Sequence, residues 1–536
     1  MKLNYKRTIL VGFAFFLICL FWQAYDSVIP LILTNKFGMS QTWSGVIMAL
    51  DNVLALFLLP LFGGISDRCT SKRGRRTPFI MIGTILSAVL FVSLSFTDAV
   101  QLSKLENLTP DRYEQSLSVI WDANPSVTVP KEETDGKSVG EALGSVFAKA
   151  EKQPLQELFP DRADFVSIPM YKADESGQPT SVVTDAYTTY VVPARNACAW
   201  QQTVNSPVTL IFFIVLLLCV LVSMGIFRSP AVALMPDVTP KPLRSKANAV
   251  INLMGSFGGI LVLVLGIIFK TGNAANAMMN YIPFFITCAA LMIAALIVFL
   301  ITVREPAWAA EMEQTSREAG IDNDADDKQD GGRTLSRAET RSLIFILASV
   351  ALWFMGYNAV TSKYSVYAGQ VLNMDYNLTL IVAQGAAILS YLPIGLLSSR
   401  FGRKKTILTG IIILTAAFGA AAFMRADSSP LLMNVLFAMA GIGWATINVN
   451  SYPMVVELAK GGKVGRYTGY YYAASMAAQV VTPILSGVFL DIRFTTLFPY
   501  GAIFVGLAFF TMLLVRHGDA KPAEKQSVLE HFDVED

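Results

Sequence analysis

The chain has 536 residues, of which 53% are hydrophobic and 15% charged, with a formal net charge of +2. A soluble domain carries roughly 25% charged residues, so most of this chain belongs in a solvent that does not tolerate charge. The near-neutral balance gives no reason for a nucleic-acid partner. Both histidines, His517 and His531, fall in the C-terminal tail, which argues against a histidine-ligated metal or histidine catalysis among the helices.

Apolar runs of about 20 residues, long enough to cross a roughly 30 Å hydrocarbon core, recur from end to end. The first, near 8–33, follows Lys2, Lys6 and Arg7. It is too long for a signal-peptide core and ends in no small-residue cleavage pattern, so it reads as span 1. Spans 2 to 6 lie near 43–65, 78–97, 207–235, 246–270 and 280–303. Residues 98–206, between spans 3 and 4, form a polar insertion with apolar patches such as VGEALGSVFAKAEKQPLQELF. It is too long and too patterned for a plain loop and reads as a small, partly helical extracytoplasmic subdomain, open to a partner of unknown kind. Residues 304–340, centred on IDNDADDKQDGGRT, read as a flexible cytoplasmic linker. Spans 7 to 12 lie near 341–368, 376–398, 406–424, 430–455, 467–490 and 496–515. The expected domains are a first six-helix bundle, 1–303, the linker, a second bundle, 341–515, and a cytoplasmic tail, 516–536.

The short loops divide by charge. One side holds Arg68, Lys72, Arg73, Arg75 and Arg76, then Lys241, Arg244 and Lys246, then Arg400, Arg403, Lys404 and Lys405, then Lys460, Lys463 and Arg466. The other side's short loops hold little beyond Lys36, Lys270, Arg425 and Arg493. The positive-inside rule places the first set and both termini in the cytoplasm of a cell whose plasma membrane the chain crosses. Of Cys19, Cys69, Cys198, Cys219 and Cys288, only Cys198 then lies in an outer loop, and none has metal-ligand spacing, so no structural disulfide is expected.

The second half echoes the first in three places. Trp22-Gln-Ala-Tyr25-Asp26-Ser-Val28 of span 1 answers Trp353-Phe-Met-Gly-Tyr357-Asn358-Ala-Val360 of span 7, one residue longer. LPLFGGISDR before RGRR, at the end of span 2, answers LPIGLLSSR before FGRKK at the end of span 8. PAVALMPDV answers YPMVVEL, pairing Asp237 with Glu457 ahead of Arg244 and Arg466. The pattern is an all-α polytopic membrane protein of twelve helices in two pseudo-symmetric six-helix bundles.

This arrangement resembles the major facilitator superfamily. The loop GGISDRCTSKRGRR, from Gly63 to Arg76, resembles that superfamily's loop 2–3 signature with residues inserted. The longer string SDRCTSKRGRRTPFI is similar to the loop of sucrose–proton symporters and their animal relatives and, more distantly, of melibiose-type glycoside cation symporters. The resemblance covers the spans but not the insertion. It implies a cytoplasmic gate at Gly63, Asp67, Arg73, Gly74, Arg75, Arg76, Asp237 and Arg244, with Gly395, Arg400, Gly402, Arg403, Glu457 and Arg466 as the second copy. Asp67 is expected to sit at a helix N-terminus or to pair with an arginine across the cytoplasmic surface, contacts that exist only while the inside is closed. The second copy departs from the pattern, with Ser399 where the signature has Asp. The arginine that sucrose symporters keep near the end of span 4 aligns with Val232 here.

A charge mid-span costs about 2.5–3.5 kcal/mol on insertion scales, so Asp26, Asp51, Arg228 and Lys363 each need a reason. The resemblance implies that spans 1, 4, 7 and 10 line a central cavity, with span 2 beside it. Asp26, within AYDSVIP, matches an acidic position of the sucrose-type relatives, and Asp51 lies in the helix where melibiose-type symporters place cation-binding acids. Both are expected to couple a proton or sodium to transport, and no other cofactor is expected. The alternative is a pair of structural ion pairs, Asp26 with Lys363 and Asp51 with Arg228. Trp22, Tyr25, Trp353, Tyr357 and Trp444 offer rings for the flat faces of a sugar, and Asn358, Gln384 and Asn448 offer amides for its hydroxyls. Arg228 and Lys363 suit an anionic solute instead. The expected function is a proton-coupled sugar or glycoside symporter. The alternatives are transport of another organic solute, in or out, or a membrane receptor or enzyme built on the insertion.

Overall fold

In hydrocarbon every backbone N–H and C=O must be satisfied within its own segment, so each apolar run becomes a helix. The structure, a computed structural model, describes residues 3–129, 151–174, 176–240, 243–318, 336–426, 428–458 and 464–518. Spans 1 to 6 are Tyr5–Asn35, Gln41–Asp67, Thr77–Lys104, Val208–Val238, Arg244–Ile268 and Ile282–Thr302. Spans 7 to 12 are Arg337–Tyr367, Tyr376–Phe401, Arg403–Ala421, Pro430–Glu457, Val464–Ile492 and Leu497–Leu513. Eleven of these regions are apolar and long enough to cross a membrane among the described residues. The other is span 8, whose helix Tyr376–Phe401 has 26 residues. Large apolar side chains such as Phe57, Val208, Ile301, Phe423, Leu431 and Leu389 stand exposed around the helices, forming the belt that lipid covers.

Each half has its own apolar core. That of the first gathers spans 1 to 6 around Phe21, Phe91, Phe227 and Phe285, and that of the second gathers spans 7 to 12 around Trp353, Tyr364, Phe418 and Phe498. The halves meet mainly where span 2 packs on span 11 and span 5 on span 8. The first of these contacts is backbone against backbone. A Cβ on Gly45 would lie 2.0 Å from the Pro483 carbonyl oxygen, and one on Gly487 would lie 2.4 Å from that of Gln41.

The insertion is a third folded unit. Helices Tyr113–Ala123 and Val192–Asn205 and two antiparallel ribbons, Ser126–Val129 (β1) with Glu151–Pro154 (β2) and Tyr171–Ala173 (β3) with Pro179–Val183 (β4), enclose an apolar cluster that includes Leu117, Phe165, Tyr187 and Ala199. Beneath it, Lys36 ties the end of span 1 to span 3 and to the loop before span 6. Its Nζ lies 2.6 Å from Asp98 Oδ2 and donates to the Met279 carbonyl at 2.7 Å, with both charged side chains fully buried.

The linker does not hold to the flexible reading over its first part. Glu305–Glu318 is a helix against span 4, with Trp308 packed on the first-half core and Arg7 paired to Glu311 at 2.7 Å. The expectation rested on the charge of the segment's centre, and residues 319–335 lie outside the described residues.

Candidate functional site: a central cavity and two gates

Residues three or four apart share one face of a helix, so Cys19, Trp22, Gln23 and Asp26 of span 1 line up along its length. That face meets Asp51 of span 2 and Arg228 of span 4. The Arg228 guanidinium carbon sits 5.2 Å from the Trp22 ring centroid, a cation–π contact. Arg228 also interacts electrostatically with Asp51, Asp26 and Cys19. Neither carboxylate makes an ion pair with it among the described residues. Asp51 instead accepts from its neighbour Asn52, at 2.6 Å from both the backbone N–H and Nδ2, on the one oxygen Oδ1. Asp26, Asp51 and Arg228 are all part-exposed.

Both ion pairs considered from sequence are therefore absent, and Lys363 is far from the role imagined for it. It is fully buried at the seam between the halves, where its Nζ donates to the Gln41 carbonyl at 2.9 Å. Asp491 of span 11 completes this lock. It accepts from the backbone N–H groups of Gln41 and Thr42 at 2.7 and 2.9 Å and from Thr42 Oγ1 at 2.5 Å, capping the free N–H groups at the start of span 2.

On the second-half side, Tyr357 and Trp444 stack at 3.8 Å with their planes 4° apart, and Phe354 meets Trp444 edge-on at 5.2 Å. Tyr391, which hydropathy alone does not single out, lies beside Tyr357 and Asn448. Asn448 is exposed. Gln384 Nε2 donates to Gln23 Oε1 at 2.7 Å, bridging the halves, and Gln23 in turn donates to Ser27 at 3.0 Å. Trp22 Nε1, Tyr25 OH and Asn358 Nδ2 are buried with no hydrogen-bond partner among the described residues, Tyr25 being fully buried within the first-half core. Trp353 does not join them, being 1% exposed within the second-half core. The extra residue between it and Asn358 adds about 100° of helical rotation relative to Trp22 and Asp26. The tryptophans thus match in sequence but not in place.

Among the described residues, the hydrogen bonds that join the halves gather at the insertion end. Besides the Asp491 and Lys363 lock, Thr271 Oγ1 meets Tyr376 OH at 2.7 Å, and Asn373 Nδ2 donates to the Val183 carbonyl of the insertion at 2.9 Å. Toward the basic end the packing thins. Span 2 buries Gln41, Ser44, Gly45, Ile47, Met48 and Ala49, but beyond Asp51 only Ala55 and Ser66.

The basic loop is ordered by pairings within the first half. Arg76, 5% exposed, reaches Asp67 Oδ1 at 2.5 Å, Asp237 Oδ2 at 2.7 Å and Ser66 Oγ at 2.5 Å, and Arg75 lies 3.7 Å from Asp237. All three partners, Asp67, Asp237 and Ser66, belong to the first half, so these contacts do not cross between the halves. Sequence reading missed Glu305, which is 2% exposed. It accepts from the backbone N–H groups of Arg75, Arg76 and Thr77 at 2.7, 2.9 and 2.8 Å, capping span 3. Gly74, at φ 111°, is required there, because a Cβ would lie 2.3 Å from the Glu305 carboxylate. Gly63 lies against Ser229 of span 4. Arg244 caps the end of span 4 through the Pro236 and Thr239 carbonyls at 3.0 and 3.2 Å, while the Arg73 side chain donates to Met81 Sδ at 3.3 Å. In the second half Gly402 turns at φ 91° and Arg400 lies over the Phe401 ring. Gly395 and Arg403 lie at the same end, in span 8 and at the first residue of span 9. The side chains of Ser399, Glu457 and Arg466 lie outside the described residues.

A sequence profile of the Major Facilitator Superfamily matches residues 196–390 and 379–534. The chain belongs to the major facilitator superfamily. It is a multi-pass membrane transporter and not an enzyme. A second profile, MFS/sugar transport protein, matches residues 10–105 of this superfamily member. The chain is 43% identical over 55 residues to the sucrose transport protein SUC4 of Arabidopsis thaliana, 10% of this chain and 11% of that protein. It is 24% identical over 167 residues to the multidrug resistance protein MdtH of Yersinia pestis, 30% of this chain and 40% of that protein. The chain thus spans about a tenth of the plant relative and two fifths of the bacterial one. The inward-open xylose transporter XylE from E. coli has the same fold, with TM-score 0.55 and 13% identity over 97% of this chain and 98% of that one.

Proposed function

We propose that this transporter is a proton-coupled symporter of a sugar or glycoside in the plasma membrane, with its basic face and both termini in the cytoplasm. One observation carries the reading. Asp26 and Asp51 face a single guanidinium, Arg228, with no direct ion pair among them. The cluster holds one more carboxylate than base, so one bound cation neutralises it. In a low-dielectric cavity such neutralisation lowers the cost of closing over the site, and that links cation binding to the conformational change. Protonation also removes a negative charge facing Arg228, changing the field on that guanidinium. The neutral wall opposite, Tyr357 on Trp444 with Asn358 and Asn448, suits a ring with apolar faces and hydroxyl edges. The match to a sugar-transport profile and the local likeness to sucrose transport proteins support the same solute class.

Opening toward the basic end is then the cytoplasm-facing state, and the Asp491 and Lys363 lock is the closed outer gate. Uptake of labelled sucrose, maltose and melibiose into proteoliposomes of defined orientation tests this reading. Accumulation is expected only with the outer side acidic. Uptake of no sugar under any imposed proton or sodium gradient refutes it.

A second reading has one observation of its own, the 167-residue similarity to multidrug resistance proteins. It makes the chain an exporter of another organic solute, with Arg228 free to hold an anionic group. Solute efflux driven by an inward proton gradient distinguishes it from symport.

A further inference from the structure

Where the insertion meets the outer ends of the bundle there is a small, partly open cavity of ≈ 40 Å³. Arg195, from the insertion helix Val192–Asn205, lines it and is 3% exposed. A guanidinium is a permanent cation with five donors. Among the described residues this one makes a single hydrogen bond, from Nη1 to Tyr187 OH at 3.1 Å, and its Nε–H has no partner. Across the cavity stands Ser365 of span 7, 5% exposed, whose hydroxyl is also unpartnered. Asn35, Thr271 and Gln370 add further polar lining, and no carboxylate lines the cavity among the described residues. Asp375 lies behind Gly272, but its Oδ1 is taken by the backbone N–H and Nδ2 of Asn377, each at 2.8 Å.

Asp375 keeps its charge but makes no ion pair with Arg195 among the described residues, and a buried guanidinium without a direct partner is costly, the more so with two open donors at one cavity. Water would satisfy the donors but leave the charge. A cavity needs only roughly 10–15 Å³ to accept one water-sized occupant, so this one has room for a halide but not for a sugar or a phosphate ester. We propose that the seam binds a small monovalent anion of halide size between Arg195 and the Ser365 hydroxyl. The inference holds whatever solute the central cavity carries. The walls come from both halves and from the insertion, so the site is complete only while the insertion end is shut. A bound anion therefore favours that state in proportion to its concentration. This gives the insertion a task, which is to bring a cation to the gate.

The test uses purified full-length protein in detergent, unfolded thermally at constant ionic strength while chloride replaces gluconate. The midpoint is expected to rise saturably with chloride, alike for sodium, potassium and choline salts, with bromide able to substitute. Ser365→Ala is expected to raise the half-saturating chloride concentration about tenfold, and Arg195→Gln to abolish the response. If Arg195→Gln does not fold, Ser365→Ala decides alone, because an unchanged half-saturation overturns the proposal. A midpoint that follows ionic strength whatever the anion, or a chloride response kept by Arg195→Gln, also overturns it.

Discussion

Asp26 of span 1 and Asn358 of span 7 hold the same place in the repeat, and so do Asp51 and Gln384, each nine residues before the proline of its span, Pro60 or Pro393. In the first half these positions face Arg228, and a charge cluster results. In the second the amides stand beside a flat pair of rings, and Gln384 reaches back to Gln23. The basic loops differ in the same sense. Arg76 holds two carboxylates in the first half, whereas the second copy has Ser399 in place of the acid. Duplication supplied one scaffold twice, and the copies then took different tasks. One came to hold charge, and the other to offer neutral surface and to lock the outer end through Lys363 and Asp491.

The strongest way to break this division is to move the acid. Asp26→Asn is expected to abolish accumulation of sugar against its gradient while leaving exchange within a few-fold. Adding Asn358→Asp is expected not to restore accumulation, since Arg228 stays with the first half. Tracer accumulation and exchange in proteoliposomes read both, and rescue by the swap would refute a division of labour. Next comes the loop. Arg76→Ala leaves Asp67 without a base and Asp237 with Arg75 alone, and is expected to cost about 1 kcal/mol of first-half stability. Because its partners lie within one half, the ratio of the two conformations should stay put, and a shift in that ratio would return the residue to gating. Asp491→Ala should do the reverse. Losing this cap is expected to cost about 1 kcal/mol in the outer-closed state alone, roughly a fivefold shift in population. Labelling of a cysteine placed at Ser44, fully buried here, measures it from the insertion side. The smallest effect falls on the neutral wall. Tyr357→Leu removes the stack on Trp444 and is expected to raise KM two- to threefold, about 0.5 kcal/mol, with kcat nearly unchanged.

The helices and the repeat were legible in the sequence because hydropathy and loop charge act over twenty residues at a time. The charge cluster was legible because an ionised group mid-span is rare enough to count. What stayed hidden was mostly carboxylates that bond to backbone. Glu305 and Asp491 each cap a helix from another segment, and a backbone N–H has no sequence signature to match them with. Lys363 looked like a cavity cation for the same reason, since its true partner is a carbonyl. Trp353 misled differently. Alignment by residue type placed it opposite Trp22, and a single inserted residue turned it into the core.

Glu305 redraws the seam at which the gene divides. By hydropathy the first half ends near Val303, and a splice or domain swap made there would look harmless. It would carry away the side chain that closes the start of span 3, orphaning the N–H groups of Arg75, Arg76 and Thr77 more than two hundred positions upstream. As an exchangeable part, the first bundle ends no earlier than Glu318.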